Sequence, residues 1–166
     1  RGRAQAMPGV PLPSPWVEAS LRHLPTAPAR VLDLGCGRGR HSLFLLALGY
    51  EVTAVDHDPK ALDALRQRLP AEQEERLTMI CADVEAEWPQ KDLQGQRFAA
   101  VVVVNYLHRP ILRDLRCLLE PHGLLIYETW AVGNEAFAAP RDRRVLEDRS
   151  LRPNELLELV LPWGAE

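Results

Sequence analysis

Apolar positions in this chain gather into short, nearly continuous runs separated by segments of mixed polarity. The runs at 30–34, 51–55, 77–81, 98–104 and 123–128 predict β-strands, and the intervening segments at 39–48, 58–69 and 110–119 predict helices. Val101, Val102, Val103 and Val104 are β-branched throughout, as expected of a central parallel strand covered on both faces. Strands alternating with helices imply a doubly wound α/β sheet, mostly parallel, with right-handed crossovers. Ligands in such sheets bind beyond the carboxyl ends of the strands. The polar residues of interest fall at those ends: Asp33 to Gly39, Asp56, Asp83, Asn105 and Glu128.

The flanks read differently. Residues 1–13 contain Pro8, Pro11 and Pro13 and predict a flexible lead-in, leaving one domain over 14–166. Ser14 and Pro15 suit the N-cap and first position of a helix whose shared face holds Trp16, Ala19, Ser20 and Leu24 and which Pro25 and Pro28 end. A helix-like stretch at 154–160 closes the pattern, with no strand signal after it. The Leu-rich stretches 43–48 and 115–119 read as core.

Composition narrows the function classes. A chain of 166 residues with 46% hydrophobic and 26% charged residues can bury one core. Its formal net charge of −3 supplies no global attraction to nucleic acid. Arg141, Arg143 and Arg144 are interrupted by Asp142 and followed by Glu147 and Asp148, a solvated mixed-charge loop. Cys36, Cys81 and Cys117 lack zinc spacing, so no metal is expected and reduced thiols in a cytoplasmic protein are the default. No leader peptide is expected, and no apolar run approaches the roughly 20 residues that span a bilayer, so no membrane partner is expected either.

The chemistry concentrates where the first strand meets its loop. Gly35, Gly37 and Gly39 let the backbone turn sharply and approach a ligand, and Cys36 fits there as a small residue. Asp56, closing the next strand about 20 residues later, stands where an acid grips both ribose hydroxyls. The spacing Asp33-x-Gly35-x-Gly37-x-Gly39 differs from the Gly-x-Gly-x-x-Gly of dinucleotide pyrophosphate loops. His108 has an unperturbed pKa suited to a general base, and Arg109 carries a fixed fork of donors suited to an anion. Equally, Tyr106 could wall the pocket, His108 could cap the following helix and Arg109 could be solvated.

Several segments together resemble a known family. They are Ser-Pro-Trp-Val at 14–17, Val-Leu-Asp-Leu-Gly-Cys-Gly-Arg-Gly-Arg-His at 31–41, Val-Thr-Ala-Val-Asp at 52–56, Asn-Tyr-Leu-His-Arg-Pro at 105–110, Tyr-Glu-Thr-Trp at 127–130 and Leu-Arg-Pro-Asn-Glu-Leu-Leu at 151–157. The chain is similar to small bacterial class I S-adenosyl-L-methionine (SAM)-dependent methyltransferases of the tellurite-resistance type. The resemblance implies a Rossmann-like sheet, here without the C-terminal strands that complete seven, and an unfinished edge that could pair two copies. It implies SAM as cofactor, S-adenosylhomocysteine (SAH) as product and a small-molecule acceptor, with a non-catalytic SAM-binding module as the alternative. The glycine loop would pass under the amino-acid part of SAM and Asp33 would order that loop or meet the SAM amino group. Asp83 would receive the adenine amine, with Val84 and His57 beside the ring. Asn105, Tyr106, His108 and Arg109 would face the methyl group. His41 would orient substrate or bond the loop, and Asn134 and Glu135 could contribute to a lid. Pro121-His122-Gly123 replaces the family's usual Pro-Gly-Gly, which requires His122 to adopt the turn.

Overall fold

Ser14 starts the first helix, α1 (Pro15–Ser20), in the way its sequence predicts: its hydroxyl accepts the Val17 N–H at 3.1 Å, and Pro15 occupies the first turn. The computed structural model describes residues 10–134 and 149–164. The first nine residues, Glu135 and the arginine cluster at 141–144 lie outside them. The face shared by Trp16, Ala19 and Ser20 is not uniformly buried. Val17 and Ser20 point inward, whereas Trp16 is 55% exposed and Ala19 is also exposed. Helix α1 ends at Ser20 and continues as a tighter 3-10 turn over Leu21–His23, so α-helical spacing never reaches Leu24.

Strand β1 (Arg30–Leu34) leads through the glycine loop into α2 (Arg40–Ala47), then β2 (Glu51–Asp56), α3 (Pro59–Arg68) and β3 (Leu77–Cys81). A short α4 (Gln90–Leu93) precedes β4 (Phe98–Val104), α5 (Leu112–Leu118) and β5 (Leu119–Glu128), and α6 (Glu155–Val160) follows. The described residues form one five-stranded parallel sheet in the order β3-β2-β1-β4-β5. The reversal of strand order between β1 and β4 creates the crevice where doubly wound sheets take ligands.

Strand β4 is buried along its whole length because both of its faces carry core. Val101 and Val103 pack with Leu32, Leu34, Leu115 and Tyr127, while Val102 and Val104 pack with Val17, Val31, Leu45 and Ile126. A third cluster of Cys36, Leu43, Ala54, Leu62 and Leu65 binds the glycine loop to α2 and α3. Asp58 caps α3 by accepting the Lys60 N–H at 2.9 Å.

Strand β5 begins at Leu119, four residues before its predicted start. A bulge between the pairs Phe98–Leu119 and Ala100–Leu124 absorbs Pro121 and His122. His122 takes φ 64, the left-handed conformation the turn requires. Gly123 is required for a different reason, since a Cβ there would lie 2.9 Å from the Glu120 carbonyl oxygen. Beside β5, at the sheet edge, Trp16, Leu125, Tyr127, Leu156 and Trp163 line an apolar groove of about 330 Å³. No described helix is long and apolar enough to cross a membrane.

Candidate functional site

The Val55 carbonyl accepts the N–H groups of Gly35 and Cys36 at 2.9 and 3.0 Å, which pins the loop to β2. Gly35, Gly37 and Gly39 all have positive φ, but their surroundings differ. A Cβ on Gly39 would fall 2.2 Å from Leu65 Cδ1, so this glycine lets α3 pack on the loop. A Cβ on Gly37 would meet nothing within 4 Å, which leaves the loop backbone open to a ligand. Cys36 is buried and its thiol pKa is driven up by that burial, in keeping with a packing role.

Asp56 ties loop and sheet together. One carboxylate oxygen accepts the Gly37 N–H at 2.7 Å and the other accepts the Asp58 N–H at 2.9 Å. Each oxygen keeps a second lone pair, so the carboxylate can still accept from a pair of hydroxyls. It lies on the wall of a cleft of about 420 Å³, within the range of small-molecule sites. Of the residues expected from the sequence, Gly35, Asp56, His57, Asp83, Val84, Asn105 and Tyr106 line this cleft together. Leu34, Val55 and Ala82 add apolar surface, and Glu85 and Arg149 add charge. Glu85 and Arg149 were not anticipated. Glu85 could have been found two residues after Asp83, in the turn where Asp83 accepts its N–H at 3.0 Å. Nothing local marks Arg149.

Other expected residues lie elsewhere. Asp33 is 1% exposed and accepts the Ser42 hydroxyl at 2.5 Å; burial pushes its carboxyl up to about 6, partly offset by the Ser42 hydrogen bonds. It therefore ties β1 to α2 instead of lining the cleft. His41 Nε2 accepts the Ser14 N–H at 3.2 Å, so the ring is neutral; burial, then the Arg40 charge, pull it down to about 4. It binds the start of α1, not the loop or the cleft. His108 provides the backbone N-cap of the 3-10 turn Arg109–Ile111, without a side-chain cap bond, and is not on the cleft wall.

Arg109 departs furthest from its expected role. Its Nε and Nη2 donate to the two oxygens of Glu155 at 2.5 and 3.0 Å, and Nη2 also donates to the Ser150 carbonyl at 3.0 Å. The fork expected for an anionic substrate instead ties the end of β4 to α6. Arg109 in turn holds the Glu155 carboxyl well below the usual range, at about 2.

At the end of β4, Asn105 adopts φ 57 and donates its N–H to the Glu128 carbonyl at 2.8 Å. Tyr106 packs over Gly35, where a Cβ would come within 3.3 Å of the tyrosine Cβ. Its hydroxyl is shielded from solvent without a hydrogen-bond partner among the described residues, and burial, then the nearby Glu85 carboxylate, raise its pKa. No described group of His, Cys, Asp and Glu could hold a metal ion.

A parallel sheet with a glycine loop after β1, an acid after β2 and a cleft across the switch point defines a nucleoside-binding α/β domain. Residues 31–123 match the family model described as a methyltransferase domain. The chain belongs to this family, that of class I SAM-dependent methyltransferases. The probable S-adenosyl-L-methionine-dependent methyltransferase TehB of Haemophilus influenzae is 51% identical over 41 residues, 25% of this chain and 14% of TehB. The malonyl-[acyl-carrier protein] O-methyltransferase of Pseudescherichia vulneris is 32% identical over 146 residues, 84% of this chain and 55% of that protein. The crystal structure of the glycopeptide N-methyltransferase MtfA gives a TM-score of 0.57 at 30% identity, covering 75% of this chain and 56% of MtfA. The chain thus spans little more than half the length of the latter two relatives.

Proposed function

We propose that this chain binds SAM across the carboxyl ends of β1, β2 and β4 and transfers its methyl group to a small-molecule acceptor. The observation that carries this reading is Asp56, held by the Gly37 and Asp58 N–H groups on the wall of the cleft with acceptor capacity left for two ribose hydroxyls. MtfA, which shares this fold, has been crystallised with SAM and with SAH. Bound SAM supplies a methyl group already activated by its sulfonium. The protein's task is then alignment and exclusion of water.

Asp83 and Val84 stand at the adenine end of the cleft, with His57 at its exposed rim. The open face of Gly37 admits the part of the ligand beyond the ribose. Tyr106 closes the wall above Gly35. The test is transfer of label from methyl-labelled SAM to a panel of amine, thiol and phenol acceptors. Labelled product with at least one acceptor is expected. SAM binding without transfer to any of them would overturn the catalytic reading in favour of a non-catalytic SAM-binding module.

A further inference from the structure

The cleft accounts for most of the polar groups at the carboxyl ends of the strands but leaves out Glu128. This residue ends β5 opposite Val104, and its Oε2 is shielded from solvent with no hydrogen-bond donor among the described residues. A carboxylate oxygen removed from water without a donor is unfavourable unless a ligand supplies one. Two arginines on this side of the sheet already face other carboxylates: Arg109 pairs with Glu155, and Arg149 lies 3.9 Å from Glu85.

Strand order fixes which part of a ligand Glu128 can meet. The nucleoside wall is built from β1, β2 and the turn after β3, at Leu34, Asp56 and Asp83. Strand β5 lies on the other side of β4, and the Asn105 N–H bond to the Glu128 carbonyl joins the two carboxyl ends. A ligand with its ribose on Asp56 that extends across β4 would bring its transferable group towards the β5 side, where Glu128 stands.

We propose that Glu128 accepts an N–H of the methyl acceptor and that this acceptor is a primary or secondary amine; the proposal rests on the methyltransferase reading above. A thiolate or phenolate would place a second negative charge beside the carboxylate, which like-charge repulsion disfavours. An amine does the opposite, because its nitrogen becomes positive as it reacts and a fixed carboxylate stabilises that charge. The neutral amine donates its lone pair to form the new N–C bond while the methyl–sulfur bond breaks, its electron pair remaining on sulfur as the thioether. The proton left on nitrogen passes to Glu128 and from there to solvent.

The same carboxylate could instead hold the ammonium of SAM itself, so the test separates the two sources. Benzylamine and benzyl mercaptan, matched in shape, serve as acceptors with labelled SAM, and SAH affinity is measured in parallel for wild type, Glu128→Gln and Glu128→Ala. Wild type is expected to methylate or bind benzylamine in preference to the thiol. Glu128→Gln is expected to lower amine methylation by about 10²–10⁴-fold, with SAH affinity within twofold of wild type and an unfolding midpoint unchanged or raised. A tenfold or greater loss of SAH affinity would assign Glu128 to the cofactor's ammonium and overturn the proposal. So would faster methylation of the thiol, an unchanged rate in Glu128→Gln, a lowered unfolding midpoint, or neither binding nor methylation of the amine. Failure of wild type to bind SAH at all would be a different result, overturning the methyltransferase reading beneath the proposal.

Discussion

Replacing Gly39 by alanine tests the physical reading of the loop, because two separate costs meet at that position. The first is backbone strain: φ is +76, and an L-residue in the left-handed region costs roughly 1–2 kcal/mol. The second is steric. The new Cβ would sit 2.2 Å from Leu65 Cδ1 and 2.9 Å from its Cγ. Leu65 is fully buried among Cys36, Leu43, Ala54 and Leu62, so its side chain has little room to turn away. Overpacking of this kind adds about 1–3 kcal/mol, for a total of about 2–5 kcal/mol. In a domain of this size each kcal/mol lowers the melting midpoint by roughly 2–4 °C. Gly37→Ala provides the internal control. It shares the positive φ, +53, but its Cβ projects into open space, so it should cost only the strain, about 1–2 kcal/mol. Urea unfolding of both variants, and of a Gly39→Ala/Leu65→Ala cycle, measures the difference. The double variant should cost at least about 1 kcal/mol less than the sum of the singles, because removing Leu65 makes space for the new methyl. Equal losses for Gly37→Ala and Gly39→Ala, or strict additivity in the cycle, would refute the contact with α3.

Glu155 has a folded-state pKa of about 2 against an ordinary value of 4.5, so the stability it contributes is fully present above pH 4.5 and is lost as pH falls towards 2. Acid titration of unfolding should show that limb weakened in Glu155→Gln, and an unchanged limb would contradict the Arg109 pairing. His41 is lowered from 6.5 to about 4, so burying it neutral favours the folded state above pH 6.5 and that contribution is lost between pH 6.5 and 4. His41→Phe should flatten the stability profile across that window, measured by urea midpoints. His108→Ala should change methyl transfer by less than about threefold, far from the 10²–10⁴-fold expected of a general base. A loss in that larger range would return His108 to the reaction.

The sheet, and the gathering of Gly35, Asp56, Asp83 and Asn105 around one cleft, were legible in the sequence because each depends on local pattern. Strands β1 to β4 are continuous apolar runs, and the loop from Gly35 to Gly39 and Asp56 are fixed relative to the strands they terminate. What was not legible depends on distant partners. Arg109 and Glu155 are 46 residues apart, and no periodicity shows that one occupies the other's donors. The motif left Asp33 either ordering the loop or meeting the ligand, and only the structure shows its carboxylate turned towards Ser42 on α2. The early start of β5 was hidden because Pro121 and His122 read as a loop, whereas the structure folds them into a bulge inside the strand. Leu24 does not share the α1 face because the chain tightens to a 3-10 turn after Ser20, a change the residue spacing does not show.

The central claim is that Asp56 holds the ribose of a bound SAM-type ligand. Calorimetric titration with SAH, comparing wild type with Asp56→Ala, tests it most directly. Two hydrogen bonds to a charged acceptor are worth about 1.5–3 kcal/mol each, so the substitution should weaken binding by about 100-fold or more while the protein stays folded. Wild-type binding unaffected by the loss of the carboxylate, or no binding by the folded wild type, would contradict the account.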